Sequence, residues 1–190
     1  QDIIKIYNPL DFGFSNRAFR KPFYINKAFE ISKNNLLLLS DDDGLFNPGT
    51  IDSHYNALKE HPFCAGGIIR SKLLNKISKS ILQGTNYAFR KDFFYEVGKY
   101  DENYIKSMGG GDVDFWYRIY NYVNEKNISV AFLPNAIQKV NSSKSTRNKI
   151  SQSIDPKDYT MNKHNLKLSK PMYKWFKNIR DKHKWMNVLN

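Results

Sequence analysis

Leu36-Leu37-Leu38-Leu39-Ser40-Asp41-Asp42-Asp43 joins four leucines to three consecutive carboxylates. A continuous apolar run of this length reads as a strand buried on both faces, as in a parallel sheet flanked by helices. In open α/β sheets, ligands collect beyond the carboxyl ends of the strands. Three adjacent carboxylates at such an end repel one another unless a cation sits nearby. A divalent metal holding a diphosphate meets that need, because hard cations take carboxylate and phosphate oxygens together. The purely structural alternative is a solvated acidic turn.

Outward from this stretch, strands and helices alternate. Residues 2–7 read as a short strand, and Lys21–Ser32 has mainly helical apolar spacing. Thr50–Glu60 reads as a helix after Asn47-Pro48-Gly49, and Ala65–Ser71 as a strand. Leu73–Ile81 is a connector, Gly84–Arg90 has strand or loop character, and Lys91–Val97 is a helix stopped by Gly98. Asp112–Glu125 is the clearest helix, with Val113, Trp116, Tyr117, Ile119, Tyr120 and Val123 as its apolar positions. Ile128–Leu133 is a strand closed by Pro134, Asn141–Ser153 a polar loop or lid, and Met172–Val188 a basic helix. The expected class is α/β, with a mostly parallel, Rossmann-like sheet between helices.

At 190 residues, 41% hydrophobic and 25% charged, the chain suits one domain with an appendage, and its composition argues against wholesale disorder. No apolar run approaches the length of a membrane span, and no charged segment followed by an apolar one opens the chain. A single cysteine, Cys64, excludes an internal disulfide framework and a cysteine-rich zinc site, and suits a reducing compartment. Half of the net charge of +12 lies in residues 155–190, where nine Lys/Arg meet three Asp/Glu. Such a tail fits nucleic acid, an anionic membrane face, an acidic polymer or simple solvation, and charge alone does not choose.

A second candidate site is Met108-Gly109-Gly110-Gly111-Asp112-Val113-Asp114. Three glycines let backbone approach a ligand, and Asp112 at a helix start can cap the helix or act as a base.

The two signals stand in an order that resembles a family. The strand with Asp41-Asp42-Asp43 is followed by Gly84-Thr85-Asn86-Tyr87-Ala88-Phe89-Arg90-Lys91, by Val97-Gly98-Lys99-Tyr100-Asp101-Glu102, and by Gly109-Gly110-Gly111-Asp112-Val113-Asp114-Phe115-Trp116-Tyr117-Arg118. This resembles GT-A-fold glycosyltransferases of family 2, especially the branch of β-1,4-galactosyltransferases and chondroitin-type polymerases. Phe19–Phe29 also resembles that branch, and the likeness runs from Phe19 to Pro134. It implies a D-x-D motif in which Asp41 contacts the donor's ribose or sugar and Asp43 holds Mn²⁺ or Mg²⁺ on the diphosphate. Lys21 and Asn26 match donor-binding positions, and Gly84 and Thr85 would line the sugar site. Asp112 matches the general base, and Arg118 would hold Asp112 or Asp114 by a structural ion pair, with Asp114 a supporting residue.

The implied reaction transfers a hexose or N-acetylhexosamine, with inversion, from a UDP-linked sugar to a hydroxyl of a glycan, lipid-linked or protein acceptor. Gly111 stands where the family has an acid, which affects acceptor recognition. Lys139 stands near the place of a metal-binding His. Because a protonated lysine cannot ligate a metal, either Asp43 binds it weakly with water or the Lys139 ammonium replaces part of its charge.

The resemblance divides the chain into a GT-A domain at 1–140 lacking its first βα units, a polar loop or lid at 141–154, and a basic helical extension at 155–190. The missing units suggest truncation. The extension would dock on an anionic membrane surface or a partner subunit, giving a cytoplasmic protein peripheral on a membrane, with no specific nucleic acid expected. Two alternatives stay open. One is a nucleic-acid-binding or Mg-dependent phosphoryl-processing protein, and the other is a non-catalytic carbohydrate-binding relic of the fold.

Overall fold

The four leucines form strand β1 (Leu36–Leu39), which pairs antiparallel with β4 (Tyr87–Arg90). The computed structural model describes residues 21–41, 44–70, 84–104, 111–140 and 162–164. β4 pairs antiparallel with β3 (Phe63–Arg70), which runs parallel to β5 (Ala131–Val140), and β5 pairs antiparallel with β2 (Gly44–Phe46). The order is β1-β4-β3-β5-β2. β1, β3 and β5 therefore share one direction and β4 and β2 oppose it. The sheet is mixed, with one parallel pairing, and the expectation of a mostly parallel sheet is corrected.

The reason lies in the flanking layers. Leu37 and Leu39 pack on one side of the sheet and Leu36 and Leu38 on the other. Helices cover both faces whichever way the neighbouring strands run. On one face lie α1 (Lys21–Ile31), α3 (Lys91–Val97) and α4 (Gly111–Glu125), and on the other α2 (Thr50–Glu60). The three-helix face is aromatic: Phe63, Tyr87 and Phe89 from the strands meet Phe29, Phe93, Phe94, Phe115 and Trp116 from the helices. The α2 face uses small side chains, Cys64 and Ala88 against Leu58, so α2 sits close. Phe115 belongs to the core and was absent from the expected apolar stripe of α4.

The chain runs from Leu39 at one end of the strand order to Gly44 at the other within five residues. Five residues reach about 18 Å at most, while four interstrand gaps in a flat sheet span about 19 Å. The sheet therefore curls, and a direct contact shows the closure. Gln138 on β5 donates from Nε2 to Ser40 Oγ, just after β1, at 2.8 Å.

β5 also departs from the expected strand, which was to stop at Pro134. It continues to Val140, and its partner on β3 jumps from Leu133 opposite Gly66 to Ile137 opposite Gly67. Residues 134–136 are extra on β5, so Pro134, lacking an N–H, sits at a bulge where no ladder bond is required. α3 ends as expected at Gly98 (φ 95°), whose N–H bonds Tyr95 O at 3.0 Å while Lys99 N bonds Phe94 O at 3.1 Å. The expected strand at 2–7, the connector at 73–81, the loop at 141–153 and the helix at 172–188 lie outside the described residues. Among the described residues, no helix is long and apolar enough to cross a membrane.

Beneath α2, His54 is buried with Nδ1 3.2 Å from Cys64 Sγ and Nε2 2.9 Å from Asn86 Oδ1. Asn86 spends its two amide hydrogens on Gly67 O (2.7 Å) and Ala136 O (2.9 Å), so its Oδ1 must accept. His54 therefore carries its proton on Nε2, and Nδ1 accepts from the Cys64 thiol. Burial lowers the His54 pKa below its ordinary value, against the Asn86 bond, which raises it. Burial pushes the Cys64 thiol up to about 12, so it is an inert packing group.

The sign of the linkage follows. A base with a lowered folded pKa gives its full stability above the unfolded value of about 6.5 and loses it as pH falls below that value. Urea unfolding is expected to show stability falling by up to about 1.4 kcal/mol per pH unit below pH 6.5, with the slope reduced in His54→Gln. A wild-type chain equally stable at pH 5 and pH 7.5 would contradict the buried neutral imidazole.

Candidate functional site

β1 and β4 run in opposite senses, so the end of β1 and the start of β4 lie together at one mouth of the sheet. Asp41 follows β1 there, and its backbone N–H donates to Thr85 Oγ1 at 2.8 Å. The Thr85 hydroxyl donates to Gln138 Oε1 at 2.7 Å. With the Gln138–Ser40 bond, this ties β1, the approach to β4 and β5 into one rim. Asn86, next along, adopts the left-handed conformation (φ 57°), which asparagine tolerates better than most residues.

Lys21, the first residue of α1, reaches over this rim. Its Nζ lies 3.1 Å from Asp41 Oδ1, 2.8 Å from Gly84 O and 3.9 Å from Asp112 Oδ2. One ammonium thus stands between the two carboxylates that the sequence singles out, and both remain partly exposed, at 38% and 29%. Asp112 lies in the first turn of α4, where the helix dipole favours its charge. Its Oδ1 accepts from the Tyr100 hydroxyl at 3.2 Å, and Tyr100 in turn bonds the Tyr87 hydroxyl. Burial raises the Asp112 carboxyl above the ordinary value, opposed by Lys21 and the Tyr100 bond and reinforced by Asp41. A raised carboxyl at the rim is suited to exchange protons with a ligand.

Gly84 makes this approach possible. A Cβ there would lie 2.7 Å from Asp112 Cγ and 2.8 Å from Lys21 Nζ, and closer still to Asp112 Oδ2. Gly84→Ala is expected to displace both charged groups, which end partly exposed side chains able to swing aside, and to cost about 1 kcal/mol, the low end of the overpacking range, read in urea unfolding. An unchanged midpoint would show that the carboxylate has room to step aside.

Asp114, two residues on and so on the far side of α4 from Asp112, is fully buried. Its Oδ2 accepts from Arg118 Nε at 2.9 Å and lies 2.8 Å from Nη2 in an ion pair; its Oδ1 takes Lys163 Nζ at 2.8 Å and His164 Nε2 at 2.7 Å. Burial alone would raise its pKa, but the His164 bond and the charges of Arg118 and Lys163 hold it down to about 2. Arg118 also donates to Val97 O (2.9 Å) and Gly98 O (3.0 Å), stapling α4 to the end of α3. Of the two acids that Arg118 was expected to hold, Asp114 is the one it holds.

The other expected residues divide as follows. Lys21, Asp41, Gly84, Thr85 and Asp112 come together. Asn26 does not join them: its amide accepts from Tyr100 N at 2.9 Å and donates to Tyr100 O (2.9 Å) and Glu102 Oε1 (2.8 Å). Asn26 thereby holds the backbone that carries Tyr100. Lys139 is exposed on β5 between buried Gln138 and Val140, so it faces away from the rim, where Gln138 reaches Ser40 and Thr85. The physical reason is strand alternation, which turns a one-residue offset into the opposite face. Asp43 lies outside the described residues.

Three contributors escaped the sequence reading: Gln138, the Tyr87–Tyr100 pair, and Lys163 with His164. Gln138 was identifiable as the polar residue between hydrophobic strand positions, and the others carry no local signal.

The donor chemistry at the rim fits a hard cation in kind. Asp41 and Asp112 bring carboxylate oxygens to the rim with the Lys21 ammonium between them, while Asp42 and Asp43, which follow Asp41 in sequence, lie outside the described residues. Among the described residues, no group of three carboxylate, imidazole or thiolate side chains gathers. No family model matches the chain, and no curated protein matches it.

Proposed function

We propose that the chain is an inverting glycosyltransferase of the GT-A type, moving a hexose or N-acetylhexosamine from a UDP-linked sugar to an acceptor hydroxyl on a glycan, lipid or protein. One observation carries this reading. Asp41, after the all-leucine strand, and Asp112, at the head of the later helix, are joined through the single ammonium of Lys21. Those are the two motifs that a transferase needs at one place, one facing the donor and one facing the acceptor.

In this reading Asp112 Oδ2 takes the proton of the acceptor hydroxyl as its oxygen bonds C1 of the donor sugar. The bond from C1 to the diphosphate oxygen breaks, and the electron pair leaves with the diphosphate. Asp41 holds the ribose or sugar hydroxyls, and Gly84 and Thr85 line the sugar. Lys21 keeps Asp41 and Asp112 at fixed separation and compensates both charges. Asp43, with water, would hold Mn²⁺ or Mg²⁺, which would supply positive charge for the departing diphosphate. The basic extension, whose docking on an anionic membrane or a partner subunit is part of this proposal, lies largely outside the described residues.

The test is calorimetric titration of wild type and Asp43→Ala with UDP and GDP, each with and without Mn²⁺. Metal-dependent UDP binding that the variant loses is expected. Nucleotide binding absent under every condition would overturn the reading.

A further inference from the structure

The geometry points to Tyr100, backed by Tyr87, as a positioning residue that decides which oxygen of Asp112 accepts the proton, an inference that rests on reading Asp112 as the base. Tyr100 has one hydroxyl hydrogen, and it lies toward Asp112 Oδ1 at 3.2 Å. In the contact between the two phenols, Tyr100 must then accept and Tyr87 must donate. The hydrogen bonds run one way, from Tyr87 through Tyr100 to Asp112.

The direction has a consequence for the carboxylate. Oδ1 is occupied by a donor, while Oδ2 faces Lys21 Nζ at 3.9 Å beside Gly84. A proton arriving on Oδ1 would meet the Tyr100 O–H and force both phenols to turn round. Tyr87 would then lose the Tyr100 oxygen as the acceptor of its hydrogen. Both tyrosines are buried and burial holds both phenols well above their ordinary pKa, so neither gives up its proton instead. Oδ2 is left as the basic atom.

Tyr100 is itself firmly held. Its ring stacks on Phe115 with centroids 4.4 Å apart, and Asn26 clamps its backbone N–H and C=O. The groups facing Asp112 are Lys21 from α1, Asp41 after β1, Tyr87 from β4, and Tyr100 from the segment between α3 and α4, together with the neutral Gly84 backbone. The two phenols are the uncharged side chains among them, so removing their hydroxyls changes hydrogen bonding without adding or deleting a charge. A phenylalanine retains the stacking.

The test uses the full chain with carbon-13 at the aspartate carboxyls. Asp112 is titrated by NMR in wild type, Tyr100→Phe and Tyr87→Phe, with no sugar present. Loss of a donor to the ionised form raises the midpoint. Tyr100→Phe is expected to raise it by about one pH unit, a tenfold gain in proton affinity, and Tyr87→Phe by less. In sugar transfer, the acid limb of kcat/KM moves the same way while the donor KM stays within about twofold.

An unmoved midpoint in a Tyr100→Phe chain with native near-ultraviolet circular dichroism overturns the proposal. Should that variant not fold, Tyr87→Phe decides by the same criterion. A shifted midpoint in a chain that transfers no sugar, wild type included, keeps the positioning role and rejects the transferase reading.

Discussion

Replacing Asp114 by alanine is expected to lower folding stability by about 3–5 kcal/mol, the range for removing one partner of a buried ion pair. Its side chain is 0% exposed and takes charged or imidazole donors on both oxygens. Without it, Arg118 (17% exposed) keeps, among the described residues, the carbonyls of Val97 and Gly98 beside a charge set against Phe115. Lys163 keeps Asp101 at 3.0 Å, and the His164 ring keeps Tyr117. The helix that carries Asp112 thus keeps its staple to α3 through Arg118 but loses the carboxylate that holds that guanidinium in place, and much of its tie to residues 162–164. Urea unfolding at pH 7 reads the loss, and a change below about 1 kcal/mol, the value of a solvated surface pair, would contradict the buried cluster.

The same carboxylate predicts an acid limb. A folded pKa held down to about 2 gives stability that is complete above the ordinary carboxylate value near 3.8 and is lost as pH falls through about 2. Roughly 2 kcal/mol should disappear across that window in wild type and not in Asp114→Ala.

The second large effect, on the proposed reading of the chain as a transferase, is on turnover. Asp112→Asn preserves size and leaves a carbonyl oxygen for the Tyr100 hydroxyl, but it cannot take a proton. A general base contributes about 10²–10⁴-fold, so kcat for sugar transfer is expected to fall by that factor, with the donor KM changed little. Loss in kcat without loss of donor affinity separates this from disruption of the rim, which would weaken both. A variant within about threefold of wild type would remove Asp112 from the role of base.

Much of this was legible in sequence where the signal is local. Thr50–Glu60 and Lys91–Val97 appear with the bounds that caps and spacing predict, and Gly98 ends its helix in the left-handed conformation it was expected to supply. The direction of the strands was not legible. Four leucines announce two covered faces, and the helices on both sides of β1 satisfy that equally for an antiparallel neighbour. β2 was missed because three residues carry no period, and β5 overran Pro134 because its bulge depends on pairing with Gly66 and Gly67.

At the site, charge at the end of a strand or the head of a helix marked Asp41 and Asp112. The partners that organise them come from elsewhere. Gln138 lies 98 residues from Ser40, His164 lies 50 residues from Asp114, and the Tyr100 hydroxyl is one phenol among 12 tyrosines in the chain. Lys139, which the resemblance set near the place of a metal ligand, is turned to the other face by strand alternation.

The most direct test of the transferase reading follows the anomeric proton of the sugar by NMR. Wild type and Asp112→Asn are incubated with UDP-hexoses and UDP-N-acetylhexosamines, with Mn²⁺ in the enzyme incubation and the ion removed before the spectra are recorded. Wild-type chain is expected to release UDP and yield sugar, on water or an added acceptor, with the configuration at C1 inverted, and Asp112→Asn to yield almost none. No turnover of any nucleotide sugar by wild type, or product with the configuration retained, would contradict an inverting transferase.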